Sequence, residues 1–121
     1  MHLFFYKLDH IKISLKQVTK INCLLVKNLL SIYYKKKITY KKPNDLLIDK
    51  KKICGILQEK ISKLNKRYLI VGIGVNLIKN PNLRDYPTIN LSDLINIKVS
   101  KNKIEKQVKK IFEKKITKLY K

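Results

Sequence analysis

The sequence predicts an α+β fold: a mixed or antiparallel sheet with helices packed on it. Three observations point there. Residues 12–34 and 101–119 each repeat apolar side chains every three or four positions. Between them lie four short β-type runs separated by turn-forming residues, and a fifth run opens the chain. The order β-α-β-β-β-β-α is that of a sheet covered by helices.

Residues 3–8 read as the first strand. Domains ordinarily carry a few loose residues before a first strand, so this early start points to a segment missing upstream. Residues 12–34 read as a helix, with Leu15, Val18, Ile21, Leu25, Leu29 and Ile32 forming one stripe. Cys23, Val26 and Leu30 widen the stripe, so the helix is deeply packed. Lys35-Lys36-Lys37 closes it, placing cations near the negative end of the helix dipole. Ile38–Lys41 is the next strand. Pro43-Asn44-Asp45 is a turn, because Pro fixes φ and Asn and Asp bond their own backbone. Leu46–Ile48 follows, then a hairpin turn at Asp49–Lys51 and a strand over Ile53–Glu59. Residues 62–66 form a polar turn, and Tyr68–Val75 is the last strand. The stretch 77–99 reads mostly as loop, broken by Pro81 and Pro87, with one helical turn near Ser92–Ile95. Residues 101–119 form a second helix, with Ile104, Val108, Ile111, Phe112 and Leu119 on one face and Lys on the other.

Length and composition bound the function. At 121 residues the chain is one domain, and 45% hydrophobic content is enough for a core. The net charge of +21 invites a nucleic-acid reading. Yet of the 29 basic residues only Arg67 and Arg84 are arginine, and base readout and bidentate phosphate contacts favour arginine. Nucleic acid is therefore the weaker reading of the charge; attraction of small anions such as nucleotides follows from it directly. Cys23 and Cys54 lie in no Cys-x-x-Cys or Cys/His cluster, so no zinc site and no other metal ligand set is indicated. They read as buried thiols of a cytosolic protein. The opening Met1-His2-Leu3-Phe4-Phe5-Tyr6 lacks the basic start of a signal peptide. No segment approaches the ~20 apolar residues of a membrane span.

Three segments carry chemistry: Lys41-Lys42-Pro43-Asn44-Asp45, Lys51 through Glu59, and Val71-Gly72-Ile73-Gly74-Val75-Asn76. By period-two alternation Lys52, Cys54 and Ile56 share one strand face. A Lys at the mouth of an apolar strand places a point charge on an anion. Gly72, Gly74 and Asn76 share a face of the last strand. Glycines weaken a strand and are tolerated where something approaches the backbone closely. Asn76 adds a donor and an acceptor able to read a planar heterocycle. If the two strands pair, Lys52 and the glycine track line one pocket. Taken singly, each has an ordinary explanation: a solvated hairpin lysine, glycines packed under a helix, a plain turn, a strand-end Asn. Their order and separation lift the set.

That combination resembles the biotin protein ligase family. The family pattern runs Lys-Trp-Pro-Asn-Asp, a hairpin, Lys-x-x-Gly-Ile-Leu-x-Glu, then Gly-x-Gly-x-Asn on a later strand. Here it stands as Lys41-Lys42-Pro43-Asn44-Asp45, Lys52-Ile53-Cys54-Gly55-Ile56-Leu57-Gln58-Glu59 and Gly72-Ile73-Gly74-Val75-Asn76. The first strand and both long helices fall where the family has them. Lipoate ligases share the fold but typically lack the Pro-Asn-Asp box. The resemblance implies the biotin/lipoate ligase catalytic fold, which is class II synthetase-like. It also implies ATP-dependent activation of biotin to biotinyl-5′-AMP, then transfer to a lysine of a biotin carboxyl carrier protein of acetyl-CoA carboxylase or another biotin enzyme. ATP and biotin are the substrates, and Mg²⁺ is held mainly by phosphates and water. By motif match Lys52 is the essential lysine at the biotin carboxylate and phosphate. Gly72 is a backbone contact beside biotin, with Gly74 in the same motif. Asn44 and Asn76 lie near the adenylate and the metal–phosphate region, and Asp45 and Gly55 fill constant positions of the pattern.

Departures from the pattern carry expectations of their own. The family's Gly-Arg-Gly-Arg-x-Gly adenylate loop, an upstream biotin-contacting Ser/Thr element and a C-terminal β-barrel are absent from residues 1–121. Lys42 replaces the aromatic wall. The chain therefore reads as part of a catalytic domain, cytoplasmic and without a membrane role. It is expected to be weak or inactive alone, with a missing N-terminal half as its expected partner. The alternatives are a non-catalytic remnant that binds a partner and a basic nucleic-acid-binding protein.

Overall fold

Two tight turns organise the sheet. The computed structural model describes residues 2–11, 13–41, 44–78 and 87–119. Strands β1 (His2–Lys7), β2 (Thr39–Lys41), β3 (Asp45–Ile48), β4 (Lys51–Lys63) and β5 (Lys66–Val75) form one sheet in the order β1-β5-β4-β3-β2. All four strand pairings are antiparallel. Asp49 and Lys50 join β3 to β4 with φ of 49° and 64°. Leu64 and Asn65 join β4 to β5 with φ of 53° and 63°. Two positive φ values in a two-residue loop are the type I′ geometry, whose twist matches that of paired strands.

The second turn corrects the expected strand ends. β4 runs on through Lys63 where the sequence put a polar turn at 62–66. Beyond Glu59 the hairpin projects past the core and is mostly exposed, so no apolar alternation marks it. The first turn is likewise shorter than Asp49–Lys51.

Helix α1 spans Leu15–Tyr33, starting with the first residue of its apolar stripe and three residues later than the expected span of 12–34. Ser14 stops it: the Gln17 backbone N–H donates to Ser14 Oγ at 3.2 Å, and the Ser14 N–H donates to Gln17 Oε1 at 2.9 Å. This is a capping box. The helix ends before the lysine run, and only Lys35 reaches back, donating to the Ser31 carbonyl at 3.1 Å. A short helix α2 (Leu91–Ile95) sits where one helical turn was expected, and α3 spans Lys101–Leu119. Pro81 and Arg84 lie outside the described residues.

Both long helices cover one face of the sheet. That face presents Phe4, Tyr6, Leu46, Ile48, Cys54, Ile56, Leu69, Val71 and Ile73, all buried. Val18, Val26, Leu29 and Leu30 meet them from α1, and Ile104, Val108 and Phe112 from α3. Full burial of each such side chain stabilises by about 1.5–3 kcal/mol. Phe4 stacks on Phe112 with centroids 4.7 Å apart. Buried Tyr6 and Asn22 are satisfied in a chain: Tyr6 OH donates to Asn22 Oδ1, Asn22 Nδ2 to Gln58 Oε1 at 2.9 Å, and Gln58 Nε2 to Thr19 Oγ1 at 2.7 Å. The chain fixes β1 and β4 against α1. The opposite face carries no helix among the described residues. Leu3, Phe5 and Leu57 are 56%, 56% and 62% exposed there.

Candidate functional site

The site begins at an irregularity in β4. Leu46 pairs with Cys54, but Leu47 pairs with Lys52, so Ile53 is an extra residue in β4. This is a β-bulge. It overturns the expectation that Lys52, Cys54 and Ile56 share a face. Cys54 and Ile56 point into the core, while Lys52 shares the open face with its partner Leu47. Ile53 is fully buried. Strict alternation would have paired Lys52 with buried Ile48 and turned Ile53 to solvent. The bulge avoids both costs.

On the open face the Lys52 side chain lies across Gly55. A Cβ on Gly55 would stand 3.0 Å from both Cε and Nζ of Lys52. The ammonium pairs with Asp45 Oδ1 at 3.3 Å, with the two side chains 27% and 17% exposed. Asp45 is the β3 partner of Gly55, and Gly74 is its β5 partner. Asp45, Gly55 and Gly74 thus form one row across the sheet. Gly72, two residues along β5, pairs with Leu57 and Leu3. The glycine track and Lys52 do line one surface, as strand pairing required. Two residues along β4 from Gly55 that surface opens as a groove of ≈ 360 Å³ lined by Leu3, Leu57, Gln58, Glu59, Ile70 and Gly72. Two strand residues span about 6.6 Å. The apolar groove and the ammonium are therefore separated by only a short aliphatic length.

The two asparagines hold main chain. Asn44 Nδ2 donates to the Ile56 carbonyl, and the Ile56 N–H donates to the Asn44 carbonyl at 3.0 Å. The Asn76 N–H donates to the Ile53 carbonyl at 2.8 Å, and Asn76 Nδ2 to the Lys52 carbonyl at 3.1 Å. One contributor was not read from the sequence. Residues 87–89 run parallel to the bulge, with the Lys52 N–H donating to the Pro87 carbonyl at 2.8 Å and the Ile89 N–H to the Lys52 carbonyl at 3.0 Å. A buried Ile-Cys doublet inside a strand was the available sign of the bulge. Nothing in the loop composition announced residues 87–89. Lys42 and Pro43 lie outside the described residues.

Below the row sit two free thiols. Burial first, then Asp45, pushes the Cys23 thiol up to about 11. Burial pushes Cys54 up further, with nearby Cys23 adding to it. Neither is a ready nucleophile at neutral pH. Among the described residues no group of three His, Cys, Asp or Glu could hold a metal ion. No helix among them is long and apolar enough to cross a membrane.

Residues 5–76 match the sequence profile of the Biotin/lipoate A/B protein ligase family. The chain belongs to that family. Among solved structures it is similar to the biotin protein ligase of Aquifex aeolicus in complex with biotin and ATP, with TM-score 0.77 and 23% identity. That match covers 98% of this chain and 50% of the other. The biotin protein ligase of Leishmania major in complex with biotinyl-5-AMP gives TM-score 0.74 at 18% identity, over 98% of this chain and 55% of that one. LipL1 of P. falciparum in complex with lipoate gives 0.62 at 20%, over 93% and 33%. A comparison with curated protein sequences gives no match. The biotin/lipoate ligase fold thus extends over nearly the whole chain. The chain spans about half the length of the solved biotin ligases it matches.

Proposed function

We propose that this chain forms the acid-holding part of a biotin–protein ligase site. The reaction is ATP-dependent activation of biotin to biotinyl-5′-AMP, followed by transfer to a lysine of a biotin carboxyl carrier protein. The observation that carries the reading is the Lys52 ammonium lying over Gly55, at the end of a glycine track that adjoins an apolar groove. An aliphatic acid lying along β5 places its tail over Gly72 against Leu3 and Leu57, and its carboxylate at Lys52. In the first step a carboxylate oxygen attacks the α-phosphorus and pyrophosphate leaves. Both reacting groups are anionic, so a cation between them lowers the barrier. In the second step the acceptor amine attacks the acyl carbonyl and AMP leaves.

Lys52 is the catalytic residue of this reading. Gly72 and Gly74 let the ligand approach the backbone, Gly55 seats Lys52, and Asp45 orients it. Asn44 and Asn76 stand at the adenylate end. Mg²⁺ enters with the nucleotide: with no carboxylate cluster among the described residues, phosphates and water would be its ligands. The Pro43-Asn44-Asp45 box favours biotin over lipoate. The location proposed is the cytoplasm, where ATP and carrier protein meet.

The parts of a ligase site that bear the adenylate loop are proposed to lie in a complementary segment. The test is a biotin-transfer assay on purified carrier protein, paired with calorimetry using a biotinyl-adenylate analogue, with and without Lys52→Ala. The isolated chain should transfer weakly or not at all. It should bind the analogue, with Lys52→Ala costing about tenfold, the loss for a charged hydrogen bond of ~1.5 kcal/mol. Affinity that ignores Lys52→Ala would sink the reading.

A further inference from the structure

Asn76 closes the Gly-x-Gly-x-Asn motif, and the resemblance places it beside the ligand. Its amide nitrogen, however, is spent on main chain. We infer that Asn76 is a positioning residue that acts through Lys52: it clamps the bulge that turns Lys52 onto Gly55.

A bulge takes backbone groups out of the ladder, and buried N–H and C=O groups must find partners elsewhere. Every one that can be followed at this bulge does. The Lys52 N–H goes to Pro87. The Lys52 carbonyl accepts twice, from Ile89 N–H at 3.0 Å and from Asn76 Nδ2 at 3.1 Å. The Ile53 carbonyl accepts from the Asn76 N–H at 2.8 Å. Asn76 therefore bonds the carbonyls of two consecutive residues, one through its side chain and one through its backbone. It does so at the exit of β5, where its own carbonyl receives the Leu91 N–H at 2.9 Å. Asn76 thus links the bulge to the start of α2.

The side-chain bond matters because two registers compete. In the regular register Lys52 would face the core beside Ile48; in the bulged one it lies over Gly55. A one-residue slip moves the side chain to the opposite face. The Asn76 amide donates to the carbonyl of Lys52 itself, so its bond holds the residue whose facing is at stake. Burial of Ile53 favours the same register, so the experiment must separate the two causes.

The test uses the whole chain, wild type and Asn76→Ala, with Asn76→Asp as a second variant that keeps the shape and removes the donor. NMR reads the cross-relaxation between the Lys52 ε-methylene and the Gly55 α-protons. The expected result is loss of that contact in either variant, with the fold intact by thermal melting. A full-intensity contact in both would overturn the proposal and leave Ile53 burial as sufficient. If neither variant folds, the proposal also falls, because the bond then serves the whole fold rather than Lys52. The functional arm rests on the ligase reading. Affinity for the biotinyl-adenylate analogue should fall about tenfold in Asn76→Ala, as in Lys52→Ala, and no further in the double variant. Multiplicative losses would instead assign Asn76 a direct ligand contact and overturn action through Lys52. Loss of the NMR contact with binding indifferent to Lys52→Ala would leave the clamp standing and remove the ligase reading.

Discussion

A methyl group on Gly55 would stand 3.0 Å from two atoms of Lys52, tighter than side chains normally tolerate. The flexible end of Lys52 would yield before the sheet did. Gly55→Ala should therefore leave thermal stability unchanged or slightly raised, because a strand gains by losing a glycine. Affinity for the biotinyl-adenylate analogue should drop at the same time, as the ammonium is lifted off the row. Calorimetry and a melting curve on one variant check this, and parallel losses in both would contradict it. The thiols give a second expectation. Cys23 is buried with its thiol pushed from 9.0 to about 11, so the folded state disfavours the thiolate. A raised value means the unfolded chain ionises first. The stabilising contribution is whole below pH 9.0 and is lost as pH climbs toward about 11. Ellman's reagent should find neither thiol in the native protein near pH 8, and both after denaturation.

At the scale of elements, the strongest patterns in the sequence were those with one buried side. α1 and α3 show three-to-four-residue stripes because each has one buried side. Their bodies were legible, while the start of α1 depended on the Ser14–Gln17 cap rather than on hydrophobicity. The glycine track was legible because β5 keeps strict alternation. The face of Lys52 was not, because one inserted residue reverses every inference drawn by alternation across it. The outer half of the β4–β5 hairpin was illegible for another reason: it has no core to face. Its turn carries Leu64 and Asn65 at positive φ, with Leu64 87% exposed. A branched residue there costs about 1 kcal/mol. Leu64→Asn with Asn65→Gly should recover that amount and raise the melting temperature by roughly 4 °C. A lower melting temperature would mean that the Leu64 side chain has a partner worth more than the turn.

For the molecule as a whole, the helix-covered face and the open face divide the work. One buries the aromatic and aliphatic core. The other shows Leu3, Phe5 and Leu57 to solvent around the groove. Apolar surface of that kind marks a place for a ligand or for another polypeptide. The chain spans about half the length of the Aquifex aeolicus and Leishmania major biotin ligases it matches. The +21 charge opposes self-association through such a surface and raises the local concentration of small anions.

The long hairpin also bears on the order of folding. Strands β4 and β5 meet across a two-residue turn, so their pairing needs little loop closure. β1 docks on the far edge of β5, with His2 opposite Ile73, which closes a loop of about 70 residues. Local contacts form first and distant ones late. The Leu64 and Asn65 replacements should therefore act mainly on the folding rate, whereas Phe4→Leu, at the β1–α3 stack, should act mainly on unfolding. Stopped-flow kinetics of the two variants measure this directly. The Gly74–Gly55 row belongs to the early hairpin and the Leu3 side of the groove to the late strand. The surface proposed to hold the acid is then assembled in two stages, the Leu57–Gly72 floor with the hairpin and the Leu3 wall with the late strand.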